Sequence, residues 1–225
     1  MVEDLKVKKD FSGCFVPGAL KVPATMPAKG VLKAPKSFHG PKELILSGYC
    51  TPAENQGAKP WCAAYSASSY AENLRWRSRG FHTDIDPEPI YRHAKSIDGD
   101  PDGDGTYLEC ALDGLLAAGY FDSVISKVKT LRTLDDVKYA IHRYGVCVAG
   151  FDITDEWFAP KRAVVTGARS PSQGGHAVTL CGYDEGGVLV LNSWGREYGK
   201  DGFVYVTNKA FGDQFIYGAL LTNTL

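Results

Sequence analysis

The spacing of hydrophobic residues changes along the chain, from a helical period in the first half to a strand period in the second. Apolar positions three and four residues apart predict three helices in succession, over 62–79, 87–97 and 107–118. Gly80 and Gly119 follow the first and the third, as is common where helices end. Thr133 followed three residues later by Asp136 matches a capping box, which predicts a fourth helix through Tyr144.

After residue 145 the pattern is typical of β-strands. Short apolar runs rich in valine and aromatic residues predict five strands, over 146–151, 176–183, 188–192, 202–206 and 217–221. The DEGG segment at 184–187 predicts a hairpin turn between the second and the third. Helices followed by strands predict the α+β fold class, either as one substantial domain or as two small lobes around a shared cleft.

Residues 1–40 have little periodic pattern and predict an extended arm. Prolines interrupt this stretch repeatedly, with lysines between them. A floppy linker and an ordered strap across a cleft are both compatible with this pattern. The apolar residues of the arm favour docking, because a solvated linker rarely carries so many. They are Phe11, Phe15, Val16, Leu20, Val22, Val31 and Leu32.

Composition excludes several classes of protein and offers no partner by itself. The chain of 225 residues is 44% apolar with a net charge of -1, which is typical of a globular protein and gives no basic surface for nucleic acid. It has no apolar run long enough to span a membrane, and its first residues lack the core of a secretory signal. We expect a monomer. A secreted or cell-surface location would require a leader already removed, and otherwise the chain would be cytoplasmic.

Six cysteines are widely spaced, without the paired spacing of a zinc site, and we expect no metal or cofactor. Cys147 and Cys181 lie in apolar strand segments and are predicted to be buried thiols. One disulfide is compatible with Cys14, Cys50 and Cys110, but the sequence does not choose the pair.

Cys62 begins the first predicted helix, in the segment AENQGAKPWCAAYSAS. The backbone N–H groups at a helix N-terminus favour a thiolate over a thiol. A nucleophilic thiolate also needs a histidine as its cationic partner, and that histidine needs an orienting group. The segment GGHAVTLCGYDEGGVLVLNSWG supplies both, with His176 at the start of one strand and Asn192 at the end of the next. The hairpin brings these two residues to the same end of the sheet.

Two further side chains fit the same site. The amide of Gln56, six residues before Cys62, is placed to fold back and donate a hydrogen bond to an oxyanion, together with the Cys62 backbone N–H. Trp194 would shield the bond between Asn192 and His176 from water. Each feature alone also has a structural explanation, since most cysteines near helix starts are core thiols and most strand histidines are structural.

In combination these residues resemble the papain-like cysteine peptidases. The resemblance spans about 41–225 and depends on NQG with the following cysteine, on GGHAV, on LNSWG and on YGKDGFVYV. It implies a helical lobe at about 41–135, a β-barrel-like lobe at about 136–225 and an active-site cleft between them. It also implies that Gln56 is the oxyanion-hole donor, Cys62 the nucleophile, His176 the general base and acid, and Asn192 the orienting residue.

Departures from the family pattern indicate a divergent, bacterial-type member. Lys59, Pro60 and Trp61 precede Cys62 where the family usually has a cysteine and then Gly-Ser, so a family disulfide is missing. Gly175 precedes the histidine where many members have aspartate. Candidate substrate-binding residues are Trp61, Gly103, Gly105, Gly175 and Trp194.

The acidic loop DGDPDGDGTYLE, at 98–109, also matches the spacing of a calcium-binding EF-hand loop. Pro101 and Gly105 depart from that pattern, and no second loop of this kind lies nearby for pairing. The resemblance instead implies a loop whose glycine backbone pairs with an extended peptide substrate, at Gly103 or Gly105. We therefore favour the substrate loop over a calcium site.

The sequence thus predicts a cysteine endopeptidase acting on proteins or peptides. The same triad would serve an amidase, a transpeptidase or an isopeptidase, and a non-catalytic peptide-binding module is a further alternative. A hydrophobic pocket is expected to set specificity, lined by residues 148–151 and 217–222 and by Trp157. We also expect the arm at 1–40 to lie along the cleft and inhibit the enzyme, as a short pro-segment would.

Overall fold

Three helices follow one another in the first half of the chain. They are α1 (Cys62–Arg79), α2 (Pro87–Ile97) and α3 (Leu108–Ala117). All three confirm the helices predicted from the apolar spacing. This computed structural model describes residues 20, 21, 23, 30–123 and 126–223. Most of the predicted arm, including Cys14, Phe11 and Phe15, lies outside the described residues.

Helix α1 occupies the centre of the molecule. Every residue from Cys62 to Leu74 is buried, and many of them are alanine or serine. Because these side chains are small, the neighbouring helices and the sheet approach the helix backbone closely. The helix ends at Gly80, whose φ of 77° and N–H bond to Trp76 O form a left-handed C-cap.

The remaining helices are shorter than α1. They are α4 (Leu134–Tyr144), α5 (Asp155–Phe158) and α6 (Asn208–Gln214). The capping box of α4 is confirmed, because Thr133 Oγ1 accepts from the Asp136 N–H at 3.1 Å while the Asp136 carboxylate accepts from the Thr133 N–H. Asp86 caps α2 by accepting from the Glu88 N–H at 2.9 Å, with Pro87 at the first helical position.

One mixed sheet of eight strands faces α1. The strands are β1 (Leu44–Ile45), β2 (Lys127–Leu131), β3 (Cys147–Thr154), β4 (Val164–Val165), β5 (Ser172–Tyr183), β6 (Gly187–Leu191), β7 (Phe203–Thr207) and β8 (Phe215–Thr222). Their order is β2-β8-β3-β5-β6-β7-β4, with β1 paired to β5. The sheet is open and does not close into a barrel, unlike the barrel-like lobe that the resemblance implied. The predicted hairpin is present, since the Asp184 N–H donates to Gly187 O at 3.0 Å.

The five predicted strands correspond to β3, β5, β6, β7 and β8. Strands β1 and β2 come from the range expected to form the helical lobe, yet they join the same sheet. Helix and sheet are joined by buried hydrogen bonds: the Thr179 hydroxyl donates to Ser66 O at 2.9 Å, and the Leu221 N–H donates to the Tyr70 hydroxyl at 3.0 Å. These bonds fix the start of α1 against β5, which sets the geometry of the candidate site.

Two carboxyl groups lie beside the buried face of α1. Glu72 is fully buried and accepts from the Thr51 hydroxyl and, at 2.9 Å, from the Ile85 N–H. Glu54 accepts from the Ser68 hydroxyl at 3.3 Å. Burial first, and then the nearby Glu72 charge, raise the pKa of Glu54 from 4.5 to about 7. Since the folded chain holds this proton more tightly than the unfolded chain, stability falls as pH rises from about 4.5 to about 7.

We expect Glu54→Gln to stabilise the protein at pH 8 and to leave stability unchanged at pH 4.5. The amide keeps an acceptor for Ser68 but carries no charge, and the gain is roughly 1–2 kcal/mol after allowing for the partial solvent exposure of this group. Thermal melts across this pH range measure it, with exposed Glu43→Gln as the matched control. Equal melting temperatures for wild type and Glu54→Gln at pH 8 would contradict the buried-charge explanation.

Candidate active site

His176 and Asn192 meet at one end of the sheet. His176 lies in β5 opposite Phe151 of β3, and Asn192 directly follows β6. The Nε2 atom of His176 is 2.8 Å from Oδ1 of Asn192, and because an amide oxygen only accepts, Nε2–H is the donor. Asn192 Oδ1 also accepts from the Ser193 N–H at 2.8 Å, which fixes the amide orientation. The imidazole therefore has its Nδ1 atom left for a reacting partner.

An aromatic layer covers this hydrogen bond. The Trp194 ring lies 4.7 Å from the His176 ring, and Phe158 stacks on Trp194 with centroids 5.3 Å apart. His176, Asn192 and Trp194 are each only 2% exposed. Exclusion of water strengthens the bond between the imidazole and the amide. Trp194 therefore shields the bond between His176 and Asn192 from water, as expected from the sequence.

Cys62 lies at the first position of α1 and is fully buried. Its Sγ accepts hydrogen bonds from the backbone N–H groups of Ala177, Ala63 and Cys62 itself. Ala177 is the residue after His176, so this contact brings the thiol to the strand that carries the histidine. Two of these N–H groups belong to the helix N-terminus and the third to β5, and such donors stabilise a thiolate once it forms.

Burial moves both titratable groups toward their neutral forms. It raises the pKa of Cys62 to about 12, although the backbone N–H groups act in the opposite direction. It lowers the pKa of His176 to about 4, against the effect of Asn192. A neutral thiol and a neutral imidazole are therefore favoured at pH 7 while the site is covered. Entry of water would favour the thiolate and the imidazolium, since hydration stabilises charge.

Gln56 is anchored to the segment that follows Asn192. Its Oε1 accepts from the Ser193 hydroxyl at 2.6 Å, and its backbone N–H donates to Ser193 O at 2.9 Å. Its Nε2 donates to Lys59 O at 2.9 Å, and the second amide hydrogen has no partner among the described residues. The sequence did not single out Ser193, although its place in LNSWG was the signal. The side-chain amide is thereby held by two bonds and the backbone by a third, and the amide keeps one donor for a ligand.

Trp61 is ordered by contacts within the helical region. Its ring stacks on Tyr91 with centroids 5.0 Å apart, and the Lys59 ammonium lies 4.2 Å from its centroid. The unusual KPW segment is therefore a packed unit, in which the lysine covers one aromatic ring and the tyrosine supports it. A role of Trp61 in substrate binding stays a prediction.

The acidic loop at 98–109 is organised by lysine side chains. Lys95 is nearly buried, and its ammonium group donates to Asp98 Oδ2 at 2.9 Å, to Gly105 O at 3.1 Å and to Asp100 O. Lys21 from the arm donates to Asp100 Oδ2 at 2.6 Å. A Cβ on Gly103 would lie 2.0 Å from the Asp100 carboxylate, so a side chain at this position would displace that carboxylate.

An ammonium group thus occupies the position that the EF-hand pattern would give to a cation. Among the described residues, no group of three or more His, Cys, Asp or Glu side chains is placed to hold a metal. The peptide-pairing role suggested for Gly103 and Gly105 stays a prediction. The residue that pairs with a neighbouring extended segment in the structure is the adjacent Thr106.

Residues 20 and 21 of the arm bond to two different segments, one next to His176 and one at the end of the acidic loop. The Leu20 N–H donates to Gly175 O, and the Lys21 N–H donates to Thr106 O, both at 3.1 Å. The Leu20 side chain is 3% exposed and rests on Gly150, where a Cβ would lie 2.2 Å from Leu20 Cδ2. The sequence did not predict that Thr106 would bind the arm, or that Leu20 would pack on Gly150. Gly150 lay within the segment predicted to line a pocket.

Trp157, in contrast, is fully buried and belongs to the core. Its indole N–H donates to Gln214 Oε1 at 2.8 Å, and its ring packs on Phe151 with centroids 5.3 Å apart. It supports the sheet behind His176 and does not line an open pocket. None of the helices in the described part of the chain is both long and apolar enough to cross a membrane.

A family model and a curated relative each match part of the chain. The papain family cysteine protease model matches residues 106–216, which include His176 and Asn192, whereas Gln56 and Cys62 lie before the matched segment. A cathepsin B-like cysteine proteinase 3 of Caenorhabditis elegans is 32% identical over 81 residues. That match covers 34% of this chain and 22% of the relative, so the chain spans well under two thirds of that protein.

Solved structures show the same fold over most of the chain. Xylellain, a cysteine protease from Xylella fastidiosa, has a TM-score of 0.73 at 17% identity, with 92% of this chain and 97% of that one covered. Procathepsin B S9 from Trypanosoma congolense has a TM-score of 0.70 at 16% identity, with 90% and 86% covered. By the family match over 106–216, the relative and the shared fold together, the chain is similar to the papain family cysteine proteases.

Proposed function

We propose that the chain is a cysteine endopeptidase in which Cys62, His176 and Asn192 form the catalytic triad and Gln56 completes the oxyanion hole. The observation that carries the proposal is the 2.8 Å bond from His176 Nε2 to Asn192 Oδ1, made on the strand whose next N–H binds the Cys62 thiol. This arrangement supports the order of nucleophile, base and orienting group that the chemistry requires.

In the reaction, the Cys62 thiolate attacks a peptide carbonyl carbon, and the carbonyl oxygen becomes negatively charged. The backbone N–H of Cys62 and the second amide hydrogen of Gln56 donate to this oxyanion. The His176 imidazolium gives its proton to the leaving amine as the C–N bond breaks. A thioester remains on Cys62, and water activated by His176 hydrolyses it, which releases the acid and restores the thiol.

Backbone groups beside the site suit an extended peptide substrate. The carbonyls of Gly175 and Thr106 lie on opposite sides of the site, and each accepts from a successive N–H of residues 20 and 21. A peptide in place of the arm would use the same acceptors without regard to its sequence. Its selectivity would come from the space above Gly150, which Leu20 fills and which fits an aliphatic side chain.

The arm itself regulates the enzyme in this proposal. Residues 20 and 21 use the acceptors that a substrate would need, and Lys21 adds an ion pair with Asp100 at 2.6 Å. Cys62 is 0% exposed and His176 is 2% exposed with these residues in place. Hydrolysis therefore requires the arm to leave or to be removed.

Covalent labelling together with a substrate panel tests the assignment. Leu20→Asp protein, treated with a thiol-directed epoxide, is expected to gain one adduct on Cys62, and the same protein carrying Cys62→Ala should gain none. Fluorogenic dipeptides with leucine or another apolar residue at the second position are expected to be cleaved. Labelling without cleavage of any peptide would favour an amidase, a transpeptidase or an isopeptidase. Failure to label Cys62 in a folded protein would favour a binding module.

A further inference from the structure

Two cysteines away from the proposed active site lie next to each other. Cys50 follows a short 3-10 helix, Ser47–Tyr49, and is half-buried. Cys181 lies in β5 and is fully buried. Their side chains are close enough for each thiol to shift the pKa of the other, although 130 residues separate them in the sequence.

The backbone explains why the two thiols meet. Strand β1 pairs with the end of β5, and the Leu46 N–H, just after β1, donates to Cys181 O at 2.8 Å. The 3-10 turn then brings the chain back, since the Cys50 N–H donates to Ser47 O at 3.0 Å. Cys50 Sγ consequently lies 3.8 Å from Leu46 O, directly beside the residue that binds Cys181.

The surroundings give the two thiols different properties. The neighbouring Cys181 thiol has the largest effect on Cys50 and lowers its pKa, and Asn73 Nδ2 donates to the Cys50 sulfur at 3.4 Å. Burial raises the pKa of Cys181, whose thiol is also 3.5 Å from Leu189 O. The half-buried thiol is therefore the nucleophile of the pair, and the buried one is placed to react second.

We propose that Cys50 and Cys181 form a redox modification site, in which a peroxide or a small-molecule disulfide oxidises the two thiols to a reversible disulfide. With hydrogen peroxide, the Cys50 thiolate attacks one peroxide oxygen, and the O–O bond breaks to give a sulfenic acid and water. Cys181 Sγ then attacks Cys50 Sγ, and the S–O bond breaks as a second water leaves. Two thiols and one peroxide thus yield one disulfide and two waters.

The bond would join two segments that position the proposed catalytic groups. Cys181 is five residues after His176 on β5, and Cys50 is six residues before Gln56. The disulfide would close a loop containing most of the chain, which restricts the unfolded state far more than the folded one. Since neither cysteine contacts the proposed nucleophile, the site does not depend on peptidase activity. We expect stabilisation with the active-site arrangement unchanged.

Peptide mapping of the oxidised full chain tests this site directly. A Cys62→Ala variant is treated with one equivalent of hydrogen peroxide, alkylated with iodoacetamide, digested and analysed by mass spectrometry; this variant removes the competing thiol. We expect a linked peptide pair containing Cys50 and Cys181, at 2 Da below the sum of the reduced peptides. Dithiothreitol should separate the pair. Alkyl groups on both cysteines after oxidation, or a disulfide that joins other cysteines, would overturn the proposal.

Thermal melting supplies the second measurement. Oxidation is expected to raise the melting temperature of Cys62→Ala protein by about 5–10 °C, and dithiothreitol should reverse the rise. Cys50→Ala in the same background should melt at one temperature in both conditions. If that variant does not fold, the presence or absence of the linked peptide in the parent protein still tests the proposal. A linked pair without any stabilisation would overturn the structural consequence, because the bond would then strain the folded state.

Discussion

Replacing Cys62 by alanine is expected to lower kcat/KM for peptide hydrolysis by at least ~10⁴-fold, to the level of the uncatalysed background. The thiolate forms the bond to the substrate carbonyl, and alanine at this position has no nucleophile to replace it. The loss should appear in kcat, since the peptide still binds to the Gly175 and Thr106 carbonyls. Progress curves on a fluorogenic peptide, recorded in the Leu20→Asp background, measure it.

A series of variants separates a catalytic unit from a folding defect. His176→Ala should lose about as much activity as Cys62→Ala, and the double variant should lose no more, because the two groups act in one step. Gln56→Ala should cost roughly 10²–10³-fold through the oxyanion. Cys50→Ala, assayed under reducing conditions, serves as the cysteine control and should stay within a few-fold of its parent. Turnover by folded Cys62→Ala protein would remove Cys62 from the mechanism.

Those parts of the fold that depend on neighbouring residues could be predicted from the sequence. Helix α1 (Cys62–Arg79) and the capping box at Thr133 are set by local spacing and by side chains three or four positions apart. His176 and Asn192 also follow from local order, because a short hairpin joins the strands that carry them. Strand β2 was missed, since its sequence KVKTL is short and half polar and becomes a strand only by pairing with β8.

Contacts between distant segments were beyond what the sequence pattern could give. The acidic loop matched a calcium motif because such a motif counts oxygen ligands, and it does not reveal that Lys95 is placed among them. The approach of Cys50 to Cys181 depends on the pairing of β1 with β5, which no periodicity predicts. The packing of Leu20 on Gly150 likewise joins two segments that are distant in the sequence. In each case the sequence identified the residue, but it did not predict which residue it would contact.

Leu20→Asp is expected to raise kcat/KM for small peptides by roughly 10–100-fold, because it weakens binding of the arm. The substitution removes the apolar contact of Leu20 with Gly150, and burying the new carboxylate there would cost the solvation of its charge. Release of the arm lets water reach the site, so the pKa of Cys62 should fall from about 12 and that of His176 should rise from about 4. Iodoacetamide should then label Cys62 faster at pH 7, and the rate should reach half its maximum at a lower pH.

The matched variants distinguish the side-chain contact from general loosening of the arm. Lys21→Met removes the ion pair with Asp100 but keeps the backbone bond to Thr106, so its effect should be smaller than that of Leu20→Asp. Lys36→Asp changes an exposed arm residue and should leave both rates unchanged. If folded Leu20→Asp protein shows wild-type labelling and turnover, residues 20 and 21 do not close the site, and burial of Cys62 must then have another cause.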